Sequence, residues 1–177
     1  MILTRLLFLP LTQSITEKDN IMRTILTKAQ QQAWLDSNDT TLVHKWSCHG
    51  MGNSKILDSS GNIIGRASGC GYDRFGSALG NAISELFPAE ILKLAQRECK
   101  GSRQNYKTSQ KFYGIFYNSV DKQAWLDGAC GEQSMKTILN KIGFTLEYVG
   151  ENERNQTGET SYKLAPVTKR ERDWLSQ

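Results

Sequence analysis

The chain has 177 residues, 38% of them hydrophobic, and a formal net charge of +4, with a mean hydropathy of −0.48 and a pI near 8.9. That length and polarity suit one soluble globular domain with appendages and a single modest core, not a membrane-spanning chain. The mild basicity leaves room for an anionic partner but lacks the concentrated charge of a dedicated nucleic-acid binder.

Met1 to Ile21 reads as an N-terminal arm. Its apolar stretch Leu6-Leu7-Phe8-Leu9-Pro10-Leu11 is interrupted by Pro10, no clean small-x-small cleavage site follows, and it is too short to span a bilayer. Met22 is the expected true start in place of Met1, with residues 1–21 lying upstream of it or forming a disordered arm. A single α+β domain is expected over residues 22–167, followed by a charged tail over 168–177.

Thr27 to Leu35 predicts a short helix capped by Thr27, with Leu26, Ala29, Ala33 and Trp34 on its apolar side. Thr41 to Cys48 alternates as a strand, placing Leu42, His44, Trp46 and Cys48 on one face. Lys55–Leu57 and Asn62–Ala67 form a predicted hairpin about Asp58-Ser59-Ser60-Gly61.

The next stretch is the most regular. Phe75, Ala78, Leu79, Ala82, Ile83 and Leu86 recur with helical spacing, and Asp73 stands at the N-cap position. Gly76 and Gly80, four apart, allow a second backbone to come close to this helix. Pro88 opens a further helix with Ile91, Leu92 and Ala95 inward. Lys100 to Lys111 is a basic polar loop, Phe112–Tyr117 a strand, and Ser119 a cap for a helical turn through Trp125-Leu126. Glu132 to Ile142 is a second amphipathic helix stopped by Gly143. Phe144–Val149 and Ser161–Val167 are strands flanking a polar loop over Gly150–Thr160. This order predicts an α+β fold, with a mostly antiparallel sheet and helices packed on one face.

Three places offer chemistry. The first is the turn Arg66-Ala67-Ser68-Gly69-Cys70-Gly71 ahead of the Asp73 helix, where helix amides, glycines and the two guanidinium groups of Arg66 and Arg74 suit an anion. No Walker motif is present. The second is Cys130 at a helix start, where the dipole favours a thiolate; Cys70 is an equal candidate, with His44 or His49 as partner. The third is the loop carrying Arg103, Tyr106 and Lys107, a basic cluster around an aromatic ring that suits phosphate and a stacked base. Cys48, Cys70, Cys99 and Cys130 contain no Cys-x-x-Cys pair, so no metal site is expected and reduced cytoplasmic thiols are the preferred reading. No cofactor is expected.

From Thr27 to Leu86 the order α-β-β-β-α, with Gly65-Arg66-Ala67-Ser68-Gly69-Cys70-Gly71 before its last helix, resembles the double-stranded-RNA-binding domain. The resemblance implies phosphate contacts from the helix start at Arg74 and a minor-groove contact from the loop of His49. The chain departs from that pattern in Asp73, in Phe75 and in lacking Gly-Pro-x-His. The box S-G-C-G-Y-D-R with its alanine- and glycine-rich helix is also similar to uncharacterised small phage and prophage proteins. Together these readings lead to a non-enzymatic phage or mobile-element accessory protein in the host cytoplasm that binds a nucleic acid, a nucleotide or a host protein. The alternative is a thiol-dependent enzyme. No membrane partner is expected, and the sequence leaves the oligomeric state open.

Overall fold

The computed structural model describes residues 24–49, 51–69, 74–99, 113–154, 157–168 and 170. The arm over 1–21 with its alternative starts, the cap at Asp73, the basic loop over 100–111 and most of the tail over 168–177 lie outside the described residues.

Helix α1 (Lys28–Ser37) begins at Thr27 through a reciprocal capping box, in which Thr27 accepts from the Gln30 amide and the Gln30 side chain accepts from the Thr27 amide. Ala29 and Ala33, expected inward, are exposed; Gln31, Trp34 and Leu35 make the contact instead. The approach to α1 decides this face. The Ile25 and Leu26 amides donate to the carbonyls of Lys141 and Ile142 at a helix C-terminus, and Gln31 Nε2 donates to the Leu26 carbonyl.

Strands β1 (Thr41–Ser47), β2 (Asn53–Leu57), β3 (Ile63–Ser68), β6 (Phe144–Arg154) and β7 (Thr157–Pro166) form one antiparallel sheet in the order β3-β2-β1-β7-β6. The segment expected as a long polar loop is therefore mostly strand. β6 and β7 stay paired as far as Arg154 and Thr157, with a register shift between Tyr148 and Gly150. The ladder satisfies backbone groups that a loop of that length would leave to water.

Helices α2 (Arg74–Leu86) and α4 (Glu132–Ile142) pack on one face of this sheet, and α3 (Pro88–Glu98) packs against the two of them. Phe87, fully buried between α2 and α3, lies 4.9 Å from the Trp34 ring and 5.2 Å from that of Phe144, so the apparent chain break at Phe87-Pro88 is an aromatic anchor. α3 buries Ile91, Leu94 and Ala95, with Leu94 taking the inward place expected of Leu92.

β4 (Ile115–Asn118) and β5 (Gln123–Leu126) make a separate two-stranded sheet. This corrects the helical turn expected at Trp125-Leu126. Asn118 Oδ1 accepts from the Val120 and Asp121 amides and Lys122 has φ of 51°, so the chain reverses as a hairpin, and Trp125 stacks on Phe116 at 5.6 Å. A short 3₁₀ turn, Gly128–Cys130, follows.

Two glycines seat α2. A Cβ on Gly65 of β3 would fall 2.1 Å from the Ala78 carbonyl oxygen, and one on Gly128 would fall 2.3 Å from Ser77 Cα. The Gly128 turn is thus the second backbone that Gly76 and Gly80 admit; Gly80 itself faces Gly128 Cα and Met135 Sδ. Gly65→Ala is expected to destabilise the protein by about 2 kcal/mol, because helix backbone cannot step aside as a side chain end can. Urea denaturation measures it; an unchanged midpoint would mean that α2 is not held against β3.

Candidate binding sites on the two faces of the sheet

Alternation sorts the sheet residues. Leu42, His44 and Trp46 of β1, Ser54 and Ile56 of β2, Gly65 of β3, and Thr160, Tyr162 and Leu164 of β7 share the helix-covered face, as their directly opposed pairs show. Toward one end of this face the lining changes from apolar to polar, just where α2 begins. There a cavity of about 280 Å³ is bordered by His44, Trp46, Ser54, Thr160 and Tyr162 from the sheet, Arg74 and Phe75 from α2, Glu132 from α4 and Glu151 from β6.

His44 is one of these bordering side chains. It is 9% exposed, its ring lies 4.4 Å from Phe75 and 5.3 Å from Trp46, and its Nε2 is buried without a hydrogen-bond partner. Burial lowers its pKa to about 4, against the opposing pull of Glu132, so the imidazole is neutral at pH 7. Tyr162, 5.8 Å from Phe75, has its phenol raised first by burial and then by the charges of Glu132, Glu151 and its neighbour Tyr148. Glu132 is itself paired with Lys136 one turn along α4. Arg74 turns its guanidinium to the β1–β2 connection: Nη1 donates to the Ser47 carbonyl and Nη2 to Cys48 Sγ, each at 3.4 Å, over Gly52, where a Cβ would fall 0.8 Å from Nη1.

On the opposite face Lys45, Lys55 and Arg66 are exposed, and α1 borders this face near Thr41, where its Gln32, Leu35 and Asp36 line a cavity with Glu147 and Lys163. On this face Lys45 opposes Lys55, and Lys55 opposes Arg66, in register across three strands. Lys45 continues the row to Glu159 of β7, with Nζ 3.1 Å from its carboxylate, whereas Lys55 and Arg66 have no ion-pair partner among the described residues. Like charges directly opposed cost stability, and among the described residues only Lys45 of the row has a carboxylate to offset this.

The expected anion site is divided by the sheet. Arg66 and Ser68 lie on the open face and Arg74 on the covered one; Gly69, with φ of 135°, donates its amide to the Gly52 carbonyl. Arg66 instead reaches α2 through its backbone, its carbonyl accepting from Asn81 Nδ2. Gly71, Cys70, Arg103, Tyr106 and Lys107 lie outside the described residues. His49 is exposed after β1 and does not border the cavity. Burial and the Asp127 carboxylate push the Cys130 thiol up, against the thiolate-favouring effect expected at a helix start, and Cys130 does not border the cavity of His44. Cys99 is buried, with its thiol pushed up to about 11 by burial and then by Glu98. No group of three metal-binding side chains occurs among the described residues, and no described helix is long and apolar enough to cross a membrane.

The sequence singles out His44, as a partner for a cysteine, and Arg66 and Arg74, as anion ligands, but not Lys45, Lys55, Glu132, Glu151 or Tyr162. The alternation of β1 already put His44 beside Trp46; which residues oppose them depends on strand pairing, which has no local signal. Comparison with protein-family models, with curated proteins and with solved structures gives no match to this chain.

The His44 environment sets a pH dependence. The unfolded chain protonates this histidine below about pH 6.5, while the folded state resists until about pH 4. Stability therefore falls as pH drops through that window, because the unfolded state binds the extra proton. His44→Gln should lose less stability than the parent between pH 7 and pH 5 in paired urea titrations; equal losses would show that His44 is not held neutral.

Proposed function

We propose that this is a non-enzymatic binding protein that holds the phosphates of a nucleic acid on its open sheet face. The observation that carries this reading is the in-register row Lys45, Lys55 and Arg66, three cations set side by side although like charges repel. Neighbouring strands stand ~4.8 Å apart, so the row spans about 10 Å, enough to meet two or three phosphates of one strand. The three side chains are exposed along a strand surface, which favours a polymer over a single nucleotide. Its setting as a phage or mobile-element accessory protein rests on the S-G-C-G-Y-D-R box, and a host nucleic acid or the element's own would serve as ligand.

A fluorescently labelled single-stranded oligonucleotide, followed by anisotropy at increasing salt, tests this. Log affinity should fall with log salt at a slope of about −2, the value for two to three phosphates on a single strand. Lys55→Glu combined with Arg66→Glu should abolish binding, whereas Arg74→Gln should leave it within about twofold, since Arg74 lies beyond the sheet. Salt-independent affinity, or equal binding by the double variant, would overturn the proposal.

A further inference from the structure

We infer that the cavity at the start of α2 is a second site, one that takes a small organic cation, an alkylammonium or alkylguanidinium group. Three independent features meet there. One bordering side chain, His44, is 9% exposed, stacks among aromatic rings and has its Nε2 buried without a partner. The walls are aromatic: Trp46, Phe75 and Tyr162 stand around His44, and ring faces attract cations in a partly desolvated space. The border also carries two carboxylates from different elements, Glu151 and, paired with Lys136, Glu132.

The one cation on the border does not contradict this. The Arg74 guanidinium spends two donors on the Ser47 carbonyl and Cys48 Sγ and sits over Gly52, on the connection side of the cavity. The neutral state of His44 agrees with the inference, since a charged imidazole on the border would repel a cation. At about 280 Å³ the cavity falls at the small end of the ~300–1,000 Å³ typical of ligand sites, room for one headgroup or one side chain. The cation is therefore either a free small amine or a lysine or arginine side chain presented by a peptide.

The chain contains two histidines, so the imidazole resonances of His44 can be assigned by comparison with His49→Gln. Titrating the full chain with n-butylammonium and n-butylguanidinium should move the His44 resonances saturably at concentrations of about 1–20 mM, the range of a millimolar binder. Neutral n-pentanol and anionic butyrate should not. Glu151→Gln, on an exposed stretch of strand, should weaken the cation's binding by about fivefold, and Glu132→Gln, which also leaves Lys136 unpaired, by at least as much. N-acetyl-lysine methylamide distinguishes the sources: tighter binding than butylammonium assigns the site to a peptide side chain, equal or weaker binding to a free amine. Pentanol binding as well as the cations, no shift of His44 with either cation, or full affinity in both glutamine variants would overturn the inference.

Discussion

The backbone of α2 lies directly on β3 because residue 65 has no side chain, and the two-sidedness of the molecule follows from that contact. With Gly65 under the Ala78 carbonyl and Gly128 against Ser77, the helix is fixed between a strand and a tight turn with no room for a Cβ at either place. The apolar stripe Ala78, Leu79, Ala82 and Ile83 is then fully buried. The helices that form the core lie on the same side, and Lys45, Lys55 and Arg66 on the other side are left exposed.

This placement decides where charge can act. The covered face must be apolar beneath the helices but becomes polar where α2 begins, and His44, Tyr162 and the two glutamates collect there. The open face carries its cations in a row because β1, β2 and β3 are antiparallel neighbours in register. Arg66 and Arg74, eight positions apart in the chain, end on opposite sides of one sheet. A strand between two charged groups separates them more effectively than distance along the sequence suggests.

Much of the fold was legible from local signals. The Thr27 cap, the alternation of β1, the stripe of α2, Pro88 at the start of α3 and Gly143 after α4 each act through neighbours a few residues away, and each stands where the sequence put it. The errors share a different cause. Ala29 and Ala33 are exposed because distant carbonyls of α4 capture the chain before α1; β5 is a strand because β4 pairs with it; and the polar stretch after Val149 is a strand because β7 runs beside it. The sites were less legible for the same reason. His44 and Arg66 could be singled out by residue type, but Glu132, Glu151, Lys45 and Lys55 acquire meaning only through pairing across the sheet and the packing of α4.

The central claim is that the two faces do different work, with a polyanion meeting the strands and not the start of α2. Amide chemical-shift mapping of the full chain with a single-stranded oligonucleotide tests this most directly. The account predicts the largest changes at Lys45, Lys55 and Arg66, with Phe75 and Glu132 unmoved. Changes concentrated at Arg74 and Phe75, with the three cations of the open face unmoved, would contradict it.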